Sequence, residues 1–270
     1  MTERANSRVD WDPERYRRFA SERAQPFHDL LEMVSATPGG TAVDLGCGPG
    51  ELTAHAATAL GCAVMTGIDN SPAMVQAASA HERPGLSFVR GDIGPWTSDH
   101  DHDLVLAAAS LQWVPDHPGV LARWTRALRE GGQLAVQVPD NAHMPTHVVA
   151  AELARSEQFR SSFGVGGPPP DPVGDNVLAP ERYAELLYEL GYVEQHVRLV
   201  VYPHVLASSA HVVDWVRATM LRRFEMVLPA EVFAEFLREY ERALLVVIGH
   251  REPYFFPFRR ILFHGRSGAS

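Results

Sequence analysis

A run of glycines follows the first apolar segment of the chain, in the stretch "DLGCGPGE" (44–51). Because glycine has no Cβ, Gly46 and Gly48 can adopt positive φ angles and can bring the backbone close to a bound molecule. A plain tight turn between a strand and a helix would also use glycines. The glycines alone therefore leave both interpretations open, and the residues around them must decide between a turn and a binding loop.

Acidic residues stand at regular places after the apolar segments. Asp44 precedes the glycines, and Asp69 follows the next apolar segment. An acid about 20 residues past such a loop accepts hydrogen bonds from both hydroxyls of a ribose. Asp92, after the third apolar segment, is placed to accept from the amino group of an adenine. Each acid alone could be a solvated loop residue or a helix cap, but the three in this order predict an adenosine-containing ligand.

The spacing of the glycines and the charge beside them distinguish between adenosine cofactors. Dinucleotide-binding loops have the pattern G-x-G-x-x-G and leave a helix N-terminus for a pyrophosphate. Here the pattern is G-x-G-x-G followed by Glu51, and Asp44 would repel a pyrophosphate but suit a cationic amino group. The sequence also has no GxxxxGK[ST] loop for a nucleoside triphosphate. These features favour S-adenosylmethionine, which contains an ammonium and a sulfonium, over NAD or ATP.

Apolar and amphipathic segments alternate along the first half of the chain, with short connections between them. This alternation predicts an α/β fold with a doubly wound, mostly parallel sheet and helices on both faces. Ligands of such sheets bind at the carboxyl ends of the strands. The three acids and Ser110 all fall at or just past these ends, so we expect them to line one crevice.

The pattern divides the chain into three predicted parts: N-terminal cap helices over 1–35, a cofactor-binding core over 36–142, and the remaining strands with helical insertions over 143–270. The insertions, at about 143–180 and 209–255, would cover the substrate. Pro26 is expected to break the N-terminal helix into two pieces. The Gly/Pro-rich segment 164–176 is expected to have no regular secondary structure.

The composition is typical of a globular protein rather than a nucleic-acid binder or a membrane protein. Of the 270 residues, 46% are hydrophobic and 21% are charged, and the formal net charge is -9. This sign disfavours nucleic-acid binding, although a pocket on an acidic protein can be locally basic. The longest apolar run near the end of the chain, "ALLVVIG" (243–249), is too short to cross a membrane.

Cysteine and histidine usage indicates neither a metal centre nor a disulfide framework. Cys47 and Cys62 form no CxxC pair, and the 13 histidines are scattered without zinc-ligand spacing. Two cysteines in a chain of this length fit a reducing compartment, and the polar start "MTERANSRVD" has no signal-peptide core. We therefore expect a cytoplasmic protein that holds no metal.

Four of these stretches together resemble the class I S-adenosylmethionine-dependent methyltransferases: "VDLGCGPG", "GIDNSPAM", "VRGD" and "LREGGQLAVQVPD". The resemblance implies a seven-strand sheet with helices on both sides and an antiparallel last strand. It also implies that Asp44, Gly46 and Gly48 hold the methionine end of the cofactor, while Asp69 holds the ribose and Asp92 the adenine. The other expected cofactor contacts are Ile93 and Met74 beside the adenine, Ser110 at the crevice, and Tyr16 and Arg23 over the cofactor's carboxylate.

Further stretches resemble the trans-aconitate methyltransferase family: "WDPERYRRFASERAQPFHDLL", "ASLQWVPDH", "LAVQVPDNAHMPTH" and "VVDWVRATMLR". This resemblance implies transfer of the sulfonium methyl group to a carboxylate of trans-aconitate or a similar small polycarboxylate, which gives a monomethyl ester. A carboxylate is already ionised at neutral pH, so the reaction needs placement of the acceptor rather than a general base. The stretch "SSFGVGGPPPDPVG" departs from the family pattern.

Arginine forks bind carboxylates bidentately, so arginines are expected to hold the non-reacting carboxylates of the acceptor. The candidates are Arg23, Arg222, Arg223, Arg259 and Arg260, of which Arg222 and Arg260 are favoured. The other expected acceptor contacts are Gln112, Trp113 and His117, which follow the fourth strand, and His147. Any one arginine could instead be a solvated surface charge, Trp113 could be a core aromatic, and His147 could cap its helix.

Two other functions remain compatible with the sequence. The same fold could methylate a hydroxyl or amine of another small molecule, with His117 or His147 as the base that such an acceptor needs. A non-catalytic protein could bind S-adenosylmethionine as a sensor or scaffold. RNA methylation is disfavoured by the acidic charge and by the lack of an appended basic domain.

Overall fold

The computed structural model of the protein describes residues 20–217 and 219–268, with side chains from residue 24 onward. The strands are β1 (Thr41–Leu45), β2 (Val64–Asp69), β3 (Leu86–Arg90), β4 (His102–Ala108), β5 (Leu128–Pro139), β6 (Tyr192–Leu206) and β7 (Tyr254–Ser267). The helices are α1 (Ala20–Leu31), α2 (Glu51–Leu60), α3 (Pro72–Ala78), α4 (His117–Arg126), α5 (Pro145–Arg155), α6 (Pro172–Asn176), α7 (Pro180–Glu189), α8 (His211–Arg217), α9 (Arg222–Glu225) and α10 (Ala230–Ile248). Short 3-10 helices cover Ser79–His81, Leu111–Trp113 and Arg160–Gly166.

The seven strands form one sheet with the order β3-β2-β1-β4-β5-β7-β6. Strand β1 pairs in parallel with both β2 and β4, and β3 and β5 extend the parallel pairing outward on either side. The strand order therefore reverses between β1 and β4, which is where doubly wound sheets bind their ligands. The predicted fold class is confirmed.

Strand β7 runs against its neighbour β5. Just past the end of β5, the amide of Asp140 donates to the carbonyl of Arg259 at 3.0 Å. Near the start of β5, the Arg266 side chain donates to the carbonyl of Gly131 at 2.9 Å. Residue numbers thus rise along β5 while they fall along β7, so the two strands are antiparallel, as the family resemblance implies.

Local sequence signals explain why the elements around the first crossover form where they do. Leu45, Met65 and Leu104, on β1, β2 and β4, have no exposed surface, which matches the apolar runs expected of strands covered on both faces. Helix α3 begins as predicted, because the Ser71 hydroxyl accepts from the amide of Met74 at 3.4 Å and Pro72 occupies the first helical position. Strand β3 ends at Arg90, so Asp92 lies just past it.

The predicted break at Pro26 is wrong. Helix α1 continues through this proline to Leu31, although a proline inside a helix removes one backbone hydrogen bond. Pro26, Phe27 and Leu30 are all buried, so packing of this apolar face stabilises the helix despite the missing bond. The part of the predicted N-terminal helices before residue 20 lies outside the described residues.

The absence of regular structure predicted for 164–176 is also wrong. The segment contains the end of the 3-10 helix Arg160–Gly166 and the whole of α6. Asp171 is the N-cap of α6, since its Oδ1 accepts from the amide of Val173 at 3.3 Å, and Pro172 follows at the first helical position. This Asp-Pro pair is a helix-start signal that the glycines and prolines around it conceal.

The chain divides into two compact units. The first unit comprises residues 20–138, 178–199 and 261–268 of the described chain, and the second comprises 139–177 and 200–260. The division into 1–35, 36–142 and 143–270 stays a prediction. Among the described helices, none is both long and apolar enough to cross a bilayer.

Candidate active site

The glycine loop in the first unit is tied to the neighbouring strand β2. The amides of Gly46 and Cys47 both donate to the carbonyl of Ile68, at 2.7 and 3.0 Å. Gly46 has a φ of 88°, and a Cβ at this position would collide with the side chain of Ser110. Gly48 has a φ of 56°, and a Cβ there would meet nothing within 4 Å. Gly46 is thus required for packing, whereas Gly48 faces open space.

Asp69, at the end of β2, holds the loop and the start of the next helix together. Its Oδ2 accepts from the amide of Gly48 at 3.0 Å, and its Oδ1 accepts from the amide of Ser71 at 2.9 Å. Burial raises the pKa of Asp69, and these backbone donors oppose that rise. Each carboxylate oxygen has a second lone pair, so Asp69 can still accept from two hydroxyl groups of a ligand.

Asp44, at the end of β1, is a buried acid with half of its carboxylate unsatisfied. Its Oδ2 accepts from the hydroxyl of Thr53, on the first turn of α2, whereas its Oδ1 has no hydrogen-bond partner within the described part of the chain. Burial raises the pKa of Asp44 to about 7, with a smaller contribution from the charge of Asp69. A cationic donor beside Oδ1 would satisfy this oxygen, so the loop fits a ligand that contains an ammonium group.

The other described residues predicted to bind the cofactor differ in burial. Ser110 is buried, and its hydroxyl donates to the carbonyl of Leu45. Met74 and Ile93 are buried apolar side chains, and Asp92 is exposed, with its Oδ1 accepting from the amide of Gly94 at 3.0 Å. Tyr16 lies outside the described residues, as does the side chain of Arg23.

The side chains that follow β4 differ in their exposure to solvent. Trp113 is 38% exposed, so it is not a fully packed core aromatic. Gln112 is buried, and its Nε2 donates to the carbonyl of Ala109 at 2.7 Å. Ala109 has a φ of 55°, an unusual conformation for a residue with a Cβ, at the carboxyl end of a central strand.

His117 is a packed structural histidine. Its Nδ1 lies 2.7 Å from the hydroxyl of Tyr183, and its Nε2 lies 3.0 Å from the carbonyl of Leu111. Because the carbonyl can only accept, Nε2 holds the proton and Nδ1 accepts from the tyrosine. Burial lowers the pKa of His117, which keeps the ring neutral. Both ring nitrogens of His117 are hydrogen-bonded within the first unit, so neither is available to bind an acceptor. This differs from the prediction that His117 contacts the acceptor.

The other predicted acceptor residues belong to the second unit. His147 is buried inside α5, whose N-cap is Met144, so His147 does not cap its helix. Burial lowers the pKa of His147 to about 4. Arg260 is buried on β7 with its guanidinium carbon 4.7 Å from the centre of the Phe258 ring. Arg222 is half-buried at the start of α9.

Of the other arginine candidates, two described ones form ion pairs inside the second unit. The Nη2 of Arg259 lies 2.7 Å from Oδ2 of Asp140. The Nη1 of Arg223 lies 3.2 Å from Oδ1 of Asp171. Sequence reasoning missed Asp171 and Thr53 as partners. The position of Thr53 in the first turn after the glycine loop was a usable signal, whereas the contact between Asp171 and Arg223 depends on tertiary packing.

Comparisons with known proteins show which family the chain resembles. The profile of a family described as "Methyltransferase domain" matches residues 42–132. A trans-aconitate 2-methyltransferase of Methylobacterium radiotolerans is 41% identical over 238 residues, which cover 87% of this chain and 89% of the relative. One from Streptomyces avermitilis is 39% identical over 267 residues, with 93% and 94% covered.

A solved structure shows the same fold. The YcgJ protein of Bacillus subtilis superposes with a TM-score of 0.61 at 14% identity, over 92% of this chain and 100% of that one. At that identity the likeness concerns the fold alone, whereas the curated relatives match along most of their length. The chain therefore belongs to the trans-aconitate 2-methyltransferase family, within the class I S-adenosylmethionine-dependent methyltransferases.

Proposed function

We propose that this enzyme methylates one carboxylate of trans-aconitate, or of a similar small polycarboxylate, to give a monomethyl ester. The observation that supports this most directly is the identity of 41% and 39% to two trans-aconitate 2-methyltransferases along most of both chains. The cytoplasm is the compartment we propose, since both described cysteines are free thiols.

The glycine loop and its acids are the proposed cofactor site. S-adenosylmethionine would supply an electrophilic methyl group on its sulfonium. Asp44 would accept from the ammonium through its unsatisfied Oδ1, and Gly48 would leave room for the methionine end. Asp69 would accept from the ribose hydroxyls, and Asp92 from the adenine amino group. The flanking contacts would come from Met74, Ile93, Ser110, Tyr16 and Arg23.

The acceptor would be held by charge and shape rather than activated by a base. The residues proposed to contact it are Gln112 and Trp113, just past β4. The residues proposed to bind its non-reacting carboxylates are Arg222, Arg260 and His147. Because a carboxylate is ionised at neutral pH, the protein needs only to place it, and placement alone can contribute on the order of 7–11 kcal/mol to the barrier reduction.

The test is a transfer assay with methyl-labelled S-adenosylmethionine and a panel of trans-aconitate, cis-aconitate, citrate, isocitrate and itaconate. We expect label on trans-aconitate that alkali releases, because esters hydrolyse in base whereas ethers and N-methyl groups do not. Alkali-stable label on a hydroxyl or amine acceptor would instead support the alternative class of substrate. Cofactor binding without transfer to any acid would overturn the proposed substrate.

A further inference from the structure

A nearly buried ion pair in the second unit joins two segments that are distant in sequence. Arg223, on α9, has a side chain that is 11% exposed, and Asp171, the N-cap of α6, has one that is 20% exposed. The Nη1 of Arg223 lies 3.2 Å from Oδ1 of Asp171. The guanidinium also lies over the ring of Phe224, with 4.7 Å from its carbon to the ring centre. These contacts fix the plane of the guanidinium.

The ion pair leaves two nitrogens of the guanidinium without a hydrogen bond. Nε and Nη1 are both buried and have no hydrogen-bond partner among the residues that the structure describes, although Oδ1 of Asp171 lies 3.2 Å from Nη1. A buried donor left unsatisfied is destabilising. Arginine binds carboxylates through parallel hydrogen bonds from its nitrogens. The unsatisfied donors therefore fit a second carboxylate.

The electrostatics of the cluster also favour another anion. Burial lowers the pKa of Arg223, and the nearby charges of Asp171 and Asp175 only partly oppose this effect. Arg155 adds a second positive charge in the neighbourhood. His147, whose titration responds to both Arg223 and Asp171, is neutral at pH 7 and adds no charge. Burial therefore destabilises the charged guanidinium by more than its present partners stabilise it.

The segment that supplies Asp171 is itself fixed. Asp171 Oδ1 accepts from the amide of Val173 at 3.3 Å, and the amide of Asp171 donates to Oδ2 of Asp175 at 2.9 Å. Earlier in the segment, the ring of Phe163 packs 6.0 Å from that of Phe224, next to Arg223. Asp171, the residue of this segment that pairs with Arg223, is therefore held in place by its own helix start.

We propose that Arg223 binds a non-reacting carboxylate of the acceptor through its unsatisfied donors, and that Asp171 is the residue that positions it. The segment 160–176, which contains Asp171, then determines which polycarboxylates fit. This inference rests on the proposed function and adds Arg223 to the favoured pair Arg222 and Arg260.

The test compares two acids that differ by one carboxylate. For Arg223→Gln, we expect the KM of trans-aconitate, a tricarboxylate, to rise at least about tenfold, the effect of about 1.4 kcal/mol. The KM of itaconate, which has one carboxylate fewer, should rise much less, and kcat should stay within about threefold. An unchanged KM for trans-aconitate, or the same increase for both acids, would overturn the proposal.

Matched variants separate binding from folding. Arg242→Gln removes an exposed arginine of the same unit, which pairs with Glu239 on α10, and should leave both KM values unchanged. Arg223→Lys retains the charge but lacks the fork, so we expect an intermediate KM and a native circular dichroism spectrum. The affinity for S-adenosylhomocysteine, measured by calorimetry, should match the wild type in all of these variants.

Asp171→Asn tests the positioning role. Asparagine retains the helix cap and removes the charge, so KM should rise while kcat is retained. The double variant Asp171→Asn with Arg223→Gln should have the KM of Arg223→Gln alone, because both changes remove one interaction. Additive increases would show that Asp171 acts independently of Arg223.

A binding probe distinguishes failure of this inference from failure of the proposed function. Propane-1,2,3-tricarboxylate should raise the Tm of the wild-type enzyme and should not raise that of Arg223→Gln. If the enzyme methylates no acid of the panel yet shows this Arg223-dependent shift, the proposed substrate is wrong and the carboxylate site stands. An equal shift in both proteins would place the binding elsewhere, and no shift in either would overturn the site.

Discussion

At the scale of single residues, the raised pKa of Asp44 predicts that cofactor binding depends on pH. Its pKa is raised to about 7 because the carboxyl is buried, and an ammonium beside it would favour the ionised form. Binding therefore releases a proton below pH 7. We predict that the Kd of S-adenosylhomocysteine rises by up to about tenfold per pH unit as the pH falls from 7 to 5. Calorimetry over pH 5 to 9 measures this slope.

A ligand and a variant serve as controls for this titration. Methylthioadenosine has no ammonium group, so its Kd should not change over the same range. Asp44→Asn keeps an acceptor for the Thr53 hydroxyl but has no charge, so S-adenosylhomocysteine should bind it weakly and without the pH slope. Equal slopes for the two ligands on the wild-type enzyme would show that Asp44 does not face the ammonium.

Tyr183 tests the structural role assigned to His117. The Tyr183 hydroxyl donates to Nδ1 of His117 and accepts from the amide of Leu178 at 3.2 Å, while its ring stacks on Phe263 at 4.5 Å. Tyr183→Phe keeps the stacking and leaves two polar groups unsatisfied. We predict a loss of about 1–3 kcal/mol in the free energy of unfolding in urea, with kcat unchanged.

Tyr188→Phe is the matched control for that change. Tyr188 is on the same helix, α7, but is 77% exposed, so removing its hydroxyl should alter the free energy of unfolding by less than about 0.5 kcal/mol. If the Tyr183→Phe variant is fully folded and its kcat is nevertheless lower, then His117 has a role in the reaction and not only in the structure.

At the scale of elements, the loop between β1 and α2 makes a prediction about two glycines. Gly48 and Gly131 both have positive φ angles, 56° and 73°, and a Cβ on either would meet nothing within 4 Å. Alanine should therefore cost each site a similar strain, about 1–2 kcal/mol. Only Gly48→Ala should weaken S-adenosylhomocysteine binding, by at least about tenfold. If both or neither of the variants lose affinity, the open space at Gly48 is not the cofactor site.

The elements also show what sequence reasoning could reach. The strands β1, β2 and β4 were predictable because parallel strands buried on both faces are apolar throughout, and α3 because Ser71 and Pro72 mark its start. Helix α1 was mispredicted at Pro26, since burial of one apolar face outweighed a local rule. Helix α6 was missed because prolines and glycines around Asp171 resemble a loop.

The same difference between local signals and tertiary packing applies to the candidate site. The positions of Asp44, Asp69 and Asp92 at or just past strand ends were predictable because the sequence marks the end of each strand, and their roles in cofactor binding stay predictions. The ion pair of Asp171 and Arg223 was not predictable, because two surface-type residues far apart in sequence give no local signal of contact. The two hydrogen bonds of His117 were hidden for the same reason, and its position after β4 suggested a functional role that the packing does not support.

At the scale of the whole molecule, an acidic enzyme must bind an acidic substrate. The net charge of -9 repels a polycarboxylate at long range, but charges beyond about 8 Å are largely screened at physiological ionic strength. Inside that range, the arginines proposed to bind the acceptor would dominate, because buried charges are screened less than exposed ones. We therefore expect the distribution of charge, rather than its sum, to determine acceptor binding.

We expect the pH dependence of kcat to show no titration of a catalytic base. The acceptor carboxylate is ionised well below pH 7, and burial keeps both His117 and His147 neutral, the latter with a pKa of about 4. We predict that kcat, measured with both substrates saturating, is constant within about twofold from pH 7 to 9. Both substrates must be saturating, because we expect the protonation of Asp44 to change cofactor affinity and not the chemical step.

A hydroxyl or amine acceptor would give a different profile. Such a group must lose a proton, so kcat would rise about tenfold per pH unit up to the pKa of the base and then level off. Measuring kcat in matched buffers in H₂O and D₂O adds a second readout, since methyl transfer to a carboxylate moves no exchangeable proton and should show a solvent isotope effect near unity. A rising limb together with a solvent isotope effect would mean that a base acts in this enzyme and that the acceptor is not a carboxylate.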